Sequence, residues 1–231
     1  MSYYYYDKSL QNRLPSNMDC MLVKSRHIEG RSTLLAVVCD GFGSYENGMY
    51  ASATAIKMLR GWFATITNAD NIGMKMKDAV LKINSCIISQ TKQSNINTAS
   101  TLSALLLIED VFYIAHVGDS RVYSYDGKML TLLTNDDVSE SGTLTACMGQ
   151  KEDVVIQYYE GMATGKTFIV CSDGLYKRMD MNFMASRIKI SNRRLFKESA
   201  KILAQHVVEH GEQDNISIAL VKVKKGRKKV G

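Results

Sequence analysis

The sequence predicts an α+β fold, an antiparallel β-sandwich covered by helices in a single domain. Three observations predict it. Short runs rich in β-branched and aromatic residues recur along the chain. Several of these runs are joined by only a few turn residues, and strands joined that tightly pair antiparallel. The helical patterns fall in two blocks instead of alternating with the strands, which sets aside a chain of βαβ units. No internal repeat and no linker rich in Gly, Ser or Pro divides the 231 residues, a length that suits one domain.

The elements follow in order. Tyr3 to Tyr6 read as an edge strand or a frayed aromatic end. No basic residue interleaves with them, which argues against a platform for stacking bases. Strands are expected over 20–24 and 33–39. Helices are expected over 48–66 and 74–92, the second carrying Met76, Val80, Ile83 and Ile87 at helical spacing. A meander follows, with strands over 102–108, 111–117, 121–125 and 129–133. Glu109-Asp110 joins the first two, and Asp126-Gly127 is a hairpin signal between the last two. Further strands are expected over 154–159 and 167–171. Helices over 181–188 and 192–209 come next, the latter with Leu195, Ala200, Ile202, Leu203 and Val207 on or near one face. A strand over 216–223 closes the domain.

Composition excludes several classes. Apolar residues are 45% and charged residues 23% of the chain, enough to build a core and too apolar for wholesale disorder. No apolar run approaches the roughly 20 residues that span a bilayer. The first residues have neither a basic start nor an apolar stretch, so no signal peptide is expected. The five cysteines form no CxxC pair, which argues against structural zinc and for reduced thiols in a cytoplasmic protein. The net charge of +6 comes from the end of the chain: six basic residues lie in the last ten, and the rest is balanced. The expected domain is therefore 1–223, followed by a basic tail over 224–231 that is read as a solvated end. Nucleic-acid binding would call for a basic face on the fold itself and is not expected.

The chemistry gathers where strands end. The apolar run 34–39 stops at Asp40-Gly41-Phe42-Gly43, and 167–171 stops at Ser172-Asp173-Gly174. The run 111–117 stops at Gly118-Asp119-Ser120-Arg121. Asp214-Asn215 stands just before the last strand, and Asn17-Met18-Asp19 just before an early one. A single Asp-Gly after a strand is an ordinary turn, and Asp126-Gly127 is read as one. Five strand ends carrying acids are different. Packed sheets can bring such ends to one edge, where carboxylates repel unless a cation lies between them. An all-oxygen site of this kind suits Mg²⁺ or Mn²⁺. His116 lies within an apolar run and is read as a hydrogen-bonded core residue.

Taken together and in order, these motifs resemble the metal-dependent protein Ser/Thr phosphatases (the PPM, or type 2C, family), in particular its compact bacterial members. The matching segments are 38–43, 115–121, 171–175 and 213–216, with 17–19 similar to the family's first acidic motif. Residues 98–101 resemble its Gly/Ser-Thr-Thr turn, and 144–149 the stretch before its last third. The resemblance implies a four-layer αββα sandwich flanked by helix pairs. It also implies two Mn²⁺ or Mg²⁺ ions, with Asp40, Asp173 and Asp214 as the catalytic set. Asp40 would bridge the ions, the Gly41 carbonyl would bind one, and Asp19 would act through water. Asp119 would help hold a weaker third ion. The implied reaction is attack on a protein phosphoserine or phosphothreonine by hydroxide bridging the metals, opposing a Ser/Thr kinase, in a monomer.

The chain departs from the family pattern in four places. Met18 stands where Glu or Gln is usual, and Phe42 where a His often follows Asp-Gly. Arg13 is offset by one from the phosphate-binding arginine. The flap segment between Leu133 and Leu144 is short, and its Asp136 and Asp137 are read as loop acids, with a substrate-facing role as one expectation. The alternative reading is a pseudophosphatase, a regulatory binding module of the same fold.

Overall fold

In the computed structural model, residues 1–43, 47–188 and 193–224 are described. One five-stranded sheet has the order β1 (Ser2–Leu10), β12 (Ile216–Lys224), β11 (Thr167–Cys171), β8 (Arg121–Tyr125) and β9 (Leu130–Leu132). The other has β10 (Gln157–Met162), β7 (Val111–Val117), β6 (Leu102–Ile108), β3 (Arg31–Cys39) and β2 (Cys20–Ile28). Every pairing within both sheets is antiparallel. A small pair, β4 (Gly41–Gly43) and β5 (Thr98–Ser100), sits apart. The helices are α1 (Gly48–Thr65), α2 (Ile72–Ser94), α3 (Asp173–Tyr176), α4 (Met181–Ile188) and α5 (Arg193–Glu209).

The continuous apolar runs have a simple cause: central strands are buried on both faces. In β3, Leu34, Ala36 and Val38 pack between the sheets. Alternate residues Leu35, Val37 and Cys39 pack with Leu59, Met76 and Ile83 of α1 and α2. In β12, Ala219, Val221 and Val223 face the other sheet, whereas Ile216, Ile218 and Leu220 pack with Phe196, Leu203 and Val207 of α5. Alternation across the pleat thus serves two cores at once, giving the expected αββα layers.

Some elements differ from expectation. The tyrosines form a true edge strand, with all nine residues of β1 paired to β12. β2 continues through the polar Ser25–His27 stretch because it is an edge strand with half-exposed residues. β10 begins three residues later than its apolar pattern: Val154 and Ile156 are buried against α1 and α2 outside any strand. The turn at Asp126 spans four residues, with Asp126 Oδ1 accepting the amides of Lys128 and Met129. β12 reaches Lys224, one residue beyond the expected domain end. The rest of the tail, and the expected helix start at 192, lie outside the described residues.

Candidate metal centre at one end of the sandwich

Strand direction brings the acids to one end. Cys20 pairs with Cys39, so Asp19 just before β2 and Asp40 just after β3 leave their sheet side by side. Cys171 pairs with Ile218, which sets Asp173 after β11 near Asp214 before β12. Arg121 also stands opposite Cys171, so the turn carrying Asp119 reaches the same end. Asp40, Asp119, Asp173 and Asp214 line one open pocket of about 420 Å³, together with Thr101 and Lys177. Phe42 and the 142–144 segment of the flap complete much of its wall. Asp19 lies buried outside this lining.

Close backbone approaches explain two of the glycines. A Cβ at Gly41 would fall 2.4 Å from the Gly48 carbonyl oxygen and 2.7 Å from that of Met18. A Cβ at Gly174 would fall 2.1 Å from the carbonyl oxygen of Asn215, which follows Asp214. Hydrogen bonds fix the acids further. Ser172 Oγ donates to Asp19 Oδ2 at 2.8 Å, and the Asp19 amide donates to Asn17 Oδ1. The Asn215 amide donates to Asp214 Oδ1 at 2.7 Å. Tyr176 Oη donates to the Asp119 carbonyl at 2.9 Å. Lys177 Nζ donates to Asp173 Oδ2.

The charges are under strain. Burial, with the neighbouring Asp173 and Asp214, pushes the Asp19 carboxyl up to about 7 despite hydrogen bonds from Ser172 and Ser217. Asp40 is driven well above the carboxylate range by burial and by the charges of Asp19, Asp173, Asp214 and Asp119. Asp119 rises to about 6 through burial and Asp173, and burial also raises Asp214. Burial opposes the Lys177 charge, yet its bond to Asp173 and the surrounding acids hold it above its ordinary value.

This donor set fits a hard divalent cation in type. It is all oxygen, and Asp19 Oδ1 and Asp173 Oδ1 are buried without a hydrogen-bond partner. Among the described residues no three His, Cys, Asp or Glu side chains are already gathered as an ion cage. Lys177, Ser172 and the Asn215 amide each occupy one carboxylate oxygen that a cation would compete for.

Other site expectations fall as follows. Arg13 is exposed on the turn after β1 and is absent from the pocket lining. That turn is tied to the Asp214 loop: Asn12 Nδ2 donates to the carbonyls of Glu212 and Asp214, and Asn215 Nδ2 to those of Gln11 and Ser16. Asp136 and Asp137 do not face the pocket as substrate contacts. Asp136 holds Arg121 by a two-pronged ion pair, and Asp137 Oδ2 accepts the Gly118 amide. Both anchor the flap base to the Asp119 turn. His116 is fully buried, with Nε2 donating to the Asn135 carbonyl and Nδ1 2.8 Å from Ser103 Oγ. Burial raises the Cys39 and Cys171 thiols far above neutrality, so neither is a ready nucleophile. Thr101, Ser172 and Lys177 belong to the site without having been singled out. Their signal was adjacency, since each lies within a matched motif or a few residues from one.

Fold and site together define a sandwich with an acidic, all-oxygen centre at one end. Residues 19–215 match the family described as Protein phosphatase 2C, and the chain belongs to that family. The serine/threonine phosphatase stp of Listeria monocytogenes serotype 4b (strain F2365) is 26% identical over 221 residues, covering 84% of this chain and 87% of that one. Serine/threonine protein phosphatase PstP of Mycobacterium tuberculosis (strain CDC 1551 / Oshkosh) is 25% identical over 211 residues, covering 82% of this chain and 40% of that one. Among solved structures, a bacterial serine phosphatase shares the fold with a TM-score of 0.87 at 17% identity, covering 98% of this chain and 100% of that one. The catalytic domain of PstP in complex with two manganese ions gives a TM-score of 0.83 at 23% identity, covering 96% and 99%.

Proposed function

We propose that this chain is a metal-dependent protein serine/threonine phosphatase whose centre is held by Asp40, Asp173, Asp214 and the Gly41 carbonyl, with Asp19 in support. The observation that carries this reading is the meeting of four aspartates from separate strand ends around one pocket, with Asp19 buried close enough to act on Asp40, and with Asp19 and Asp173 each keeping a buried, unpartnered oxygen. Mn²⁺ or Mg²⁺ bound there would lower the pKa of water and screen the charge of a phosphoryl group.

The chain's own groups set the remaining requirements. The backbone of Asp40 is fixed by Thr101, so its carboxylate keeps one position as charge develops. Asp214 is held by the Asn215 amide and Asp19 by Ser172. Phe42 on the pocket wall offers no proton, so the leaving serine or threonine oxygen takes its proton from water. Arg13, on a turn tied to the Asp214 loop, is the arginine proposed to meet the substrate phosphate. No side-chain nucleophile is needed, so no phospho-enzyme forms.

The substrates are phosphoserine and phosphothreonine proteins, and the reaction opposes a Ser/Thr kinase in cytoplasmic signalling. The five free cysteines accord with a reducing compartment. The domain takes in the last strand to Lys224, with the basic residues beyond it a tail. Among the described residues no helix is long and apolar enough to cross a membrane.

The test is hydrolysis of a phosphothreonine peptide with Mn²⁺, with and without chelator, beside Asp40→Asn. Turnover that needs the metal and disappears in the variant is expected. A folded protein without turnover under either Mn²⁺ or Mg²⁺ would instead favour a binding module.

A further inference from the structure

Among the described residues, Lys177 is the one Lys or Arg on the wall of a pocket whose lining holds four aspartates. Its position is fixed by α3. Asp173 opens that short helix and Lys177 follows four residues later, so the two side chains share a face, and Nζ donates to Asp173 Oδ2. The helix is itself clamped to the Asp119 turn. Tyr176 Oη donates to the Asp119 carbonyl, and the Arg121 guanidinium lies 3.6 Å from the centre of the Tyr176 ring.

Asp173 is thereby divided. One oxygen is taken by the ammonium, while Oδ1 stays buried and unpartnered. A divalent ion drawn to Asp119 and Asp173 would have to displace Lys177 or approach it against like charge. The charge count points the same way. Asp19, Asp40, Asp119, Asp173 and Asp214 carry five negative charges when ionised. Two divalent ions and one ammonium neutralise them, and a third ion would leave an excess.

We propose that the Lys177 ammonium is a built-in cation occupying the Asp119–Asp173 side of the centre, so that this phosphatase takes two divalent ions and no third. The inference rests on the metal-dependent reading above. It makes Lys177 a charge-placing residue rather than a metal ligand. It also gives a rule for variants: converting Lys177 to an acid should create the demand for a third ion.

The experiment counts bound Mn²⁺ in chelator-stripped, full-length protein by calorimetry and by the spin-resonance signal of free Mn²⁺. Wild type, Lys177→Gln and Lys177→Asp are compared. The Lys177 side chain is 55% exposed, so the variants should fold, and circular dichroism checks that they do. Wild type is expected to saturate at two ions. Lys177→Asp should acquire a third site, at least tenfold tighter than any third binding in wild type, with Lys177→Gln between them. Three ions in wild type, or the same number in all three proteins, would overturn the inference while leaving the phosphatase reading intact. An unchanged ion count with a raised KM in Lys177→Gln would also overturn it, assigning Lys177 to the substrate phosphate. A folded wild type that binds no ion would overturn both readings, and the absence of metal-dependent turnover would identify that case.

Discussion

Thr101 and Asp40 clasp each other through the backbone and one hydroxyl. The Thr101 amide donates to the Asp40 carbonyl at 2.9 Å, and the Asp40 amide donates to Thr101 Oγ1 at the same distance. Thr101 Oγ1 also lies 2.7 Å from Ser120 Oγ, next to Asp119. One hydroxyl therefore joins two of the acid-bearing strand ends, and it is nearly fully buried.

Replacing Thr101 by Val keeps the shape and removes the acceptor. The Asp40 amide is then left unpaired, a loss of about 1–3 kcal/mol for a buried donor. Because Thr101 positions a proposed ligand, kcat should fall by roughly 10–100-fold. Thr101→Ser should retain most of both. Denaturant midpoints and kcat for the two variants check this, and equal behaviour of Val and Ser would show that the hydroxyl is dispensable.

A second prediction concerns the protein without metal. Asp19, raised to about 7, and Asp119, raised to about 6, keep protons in the folded state that the unfolded chain releases near pH 4. Their contribution to stability is present below that unfolded value and is lost as pH rises through 6 to 7. Metal-free protein should therefore be less stable at pH 8 than at pH 5, and Mn²⁺ should restore the loss at pH 8. Asp40→Asn removes a buried acid that the metal-free fold disfavours ionising, through burial and through the neighbouring acids, so it should raise the metal-free midpoint at pH 8 while abolishing turnover. Thermal midpoints in chelator at both pH values decide it; a variant less stable than wild type would contradict the repulsion argument.

How legible the site was depends on what held each residue in place. Asp40, Asp119, Asp173 and Asp214 could be read because each interrupts an apolar run or directly precedes one, and both faces of those central strands are buried. Lys177 and Thr101 lie in or beside matched motifs, but their roles are not legible there. Their roles depend on a short helix after Asp173 and on a side-chain bond across 61 residues. Asp136 and Asp137 read as loop acids, and the bonds they make are hidden in the sequence for the same reason. Their partners, Arg121 and Gly118, come from a different strand end, and a loop acid in sequence carries no mark of such a bond.

His116 supplies a prediction of opposite sign. Burial depresses its affinity for a proton, against the pull of Asp137 and Asp136 and of the Asn135 carbonyl. The folded state keeps it neutral where the unfolded chain titrates near 6.5, so its contribution is lost as pH falls below that value. In saturating Mn²⁺, wild type should lose more of its midpoint between pH 7 and 5.5 than His116→Asn does. Parallel curves for the two proteins would mean that His116 does not titrate on unfolding.

The end of the chain gives the last prediction, and the structure sharpens where to cut. Val223 is fully buried between the sheets, and Lys222 and Lys224 pair with Tyr4 and Ser2 of β1. Removing 222–231 would therefore take three residues from a central strand and unpair the start of β1. A buried aliphatic lost from a core, together with the strand pairing around it, costs on the order of a few kcal/mol, which is a large part of a domain's stability. Removing only 225–231 discards four of the six terminal basic residues and none of the strand. The shorter deletion should leave kcat and the thermal midpoint within error of wild type, and the longer one should lower the midpoint by several degrees. If the shorter deletion alone reduced turnover on a phosphoprotein but not on a phosphothreonine peptide, the basic tail would be a substrate contact and not a solvated end.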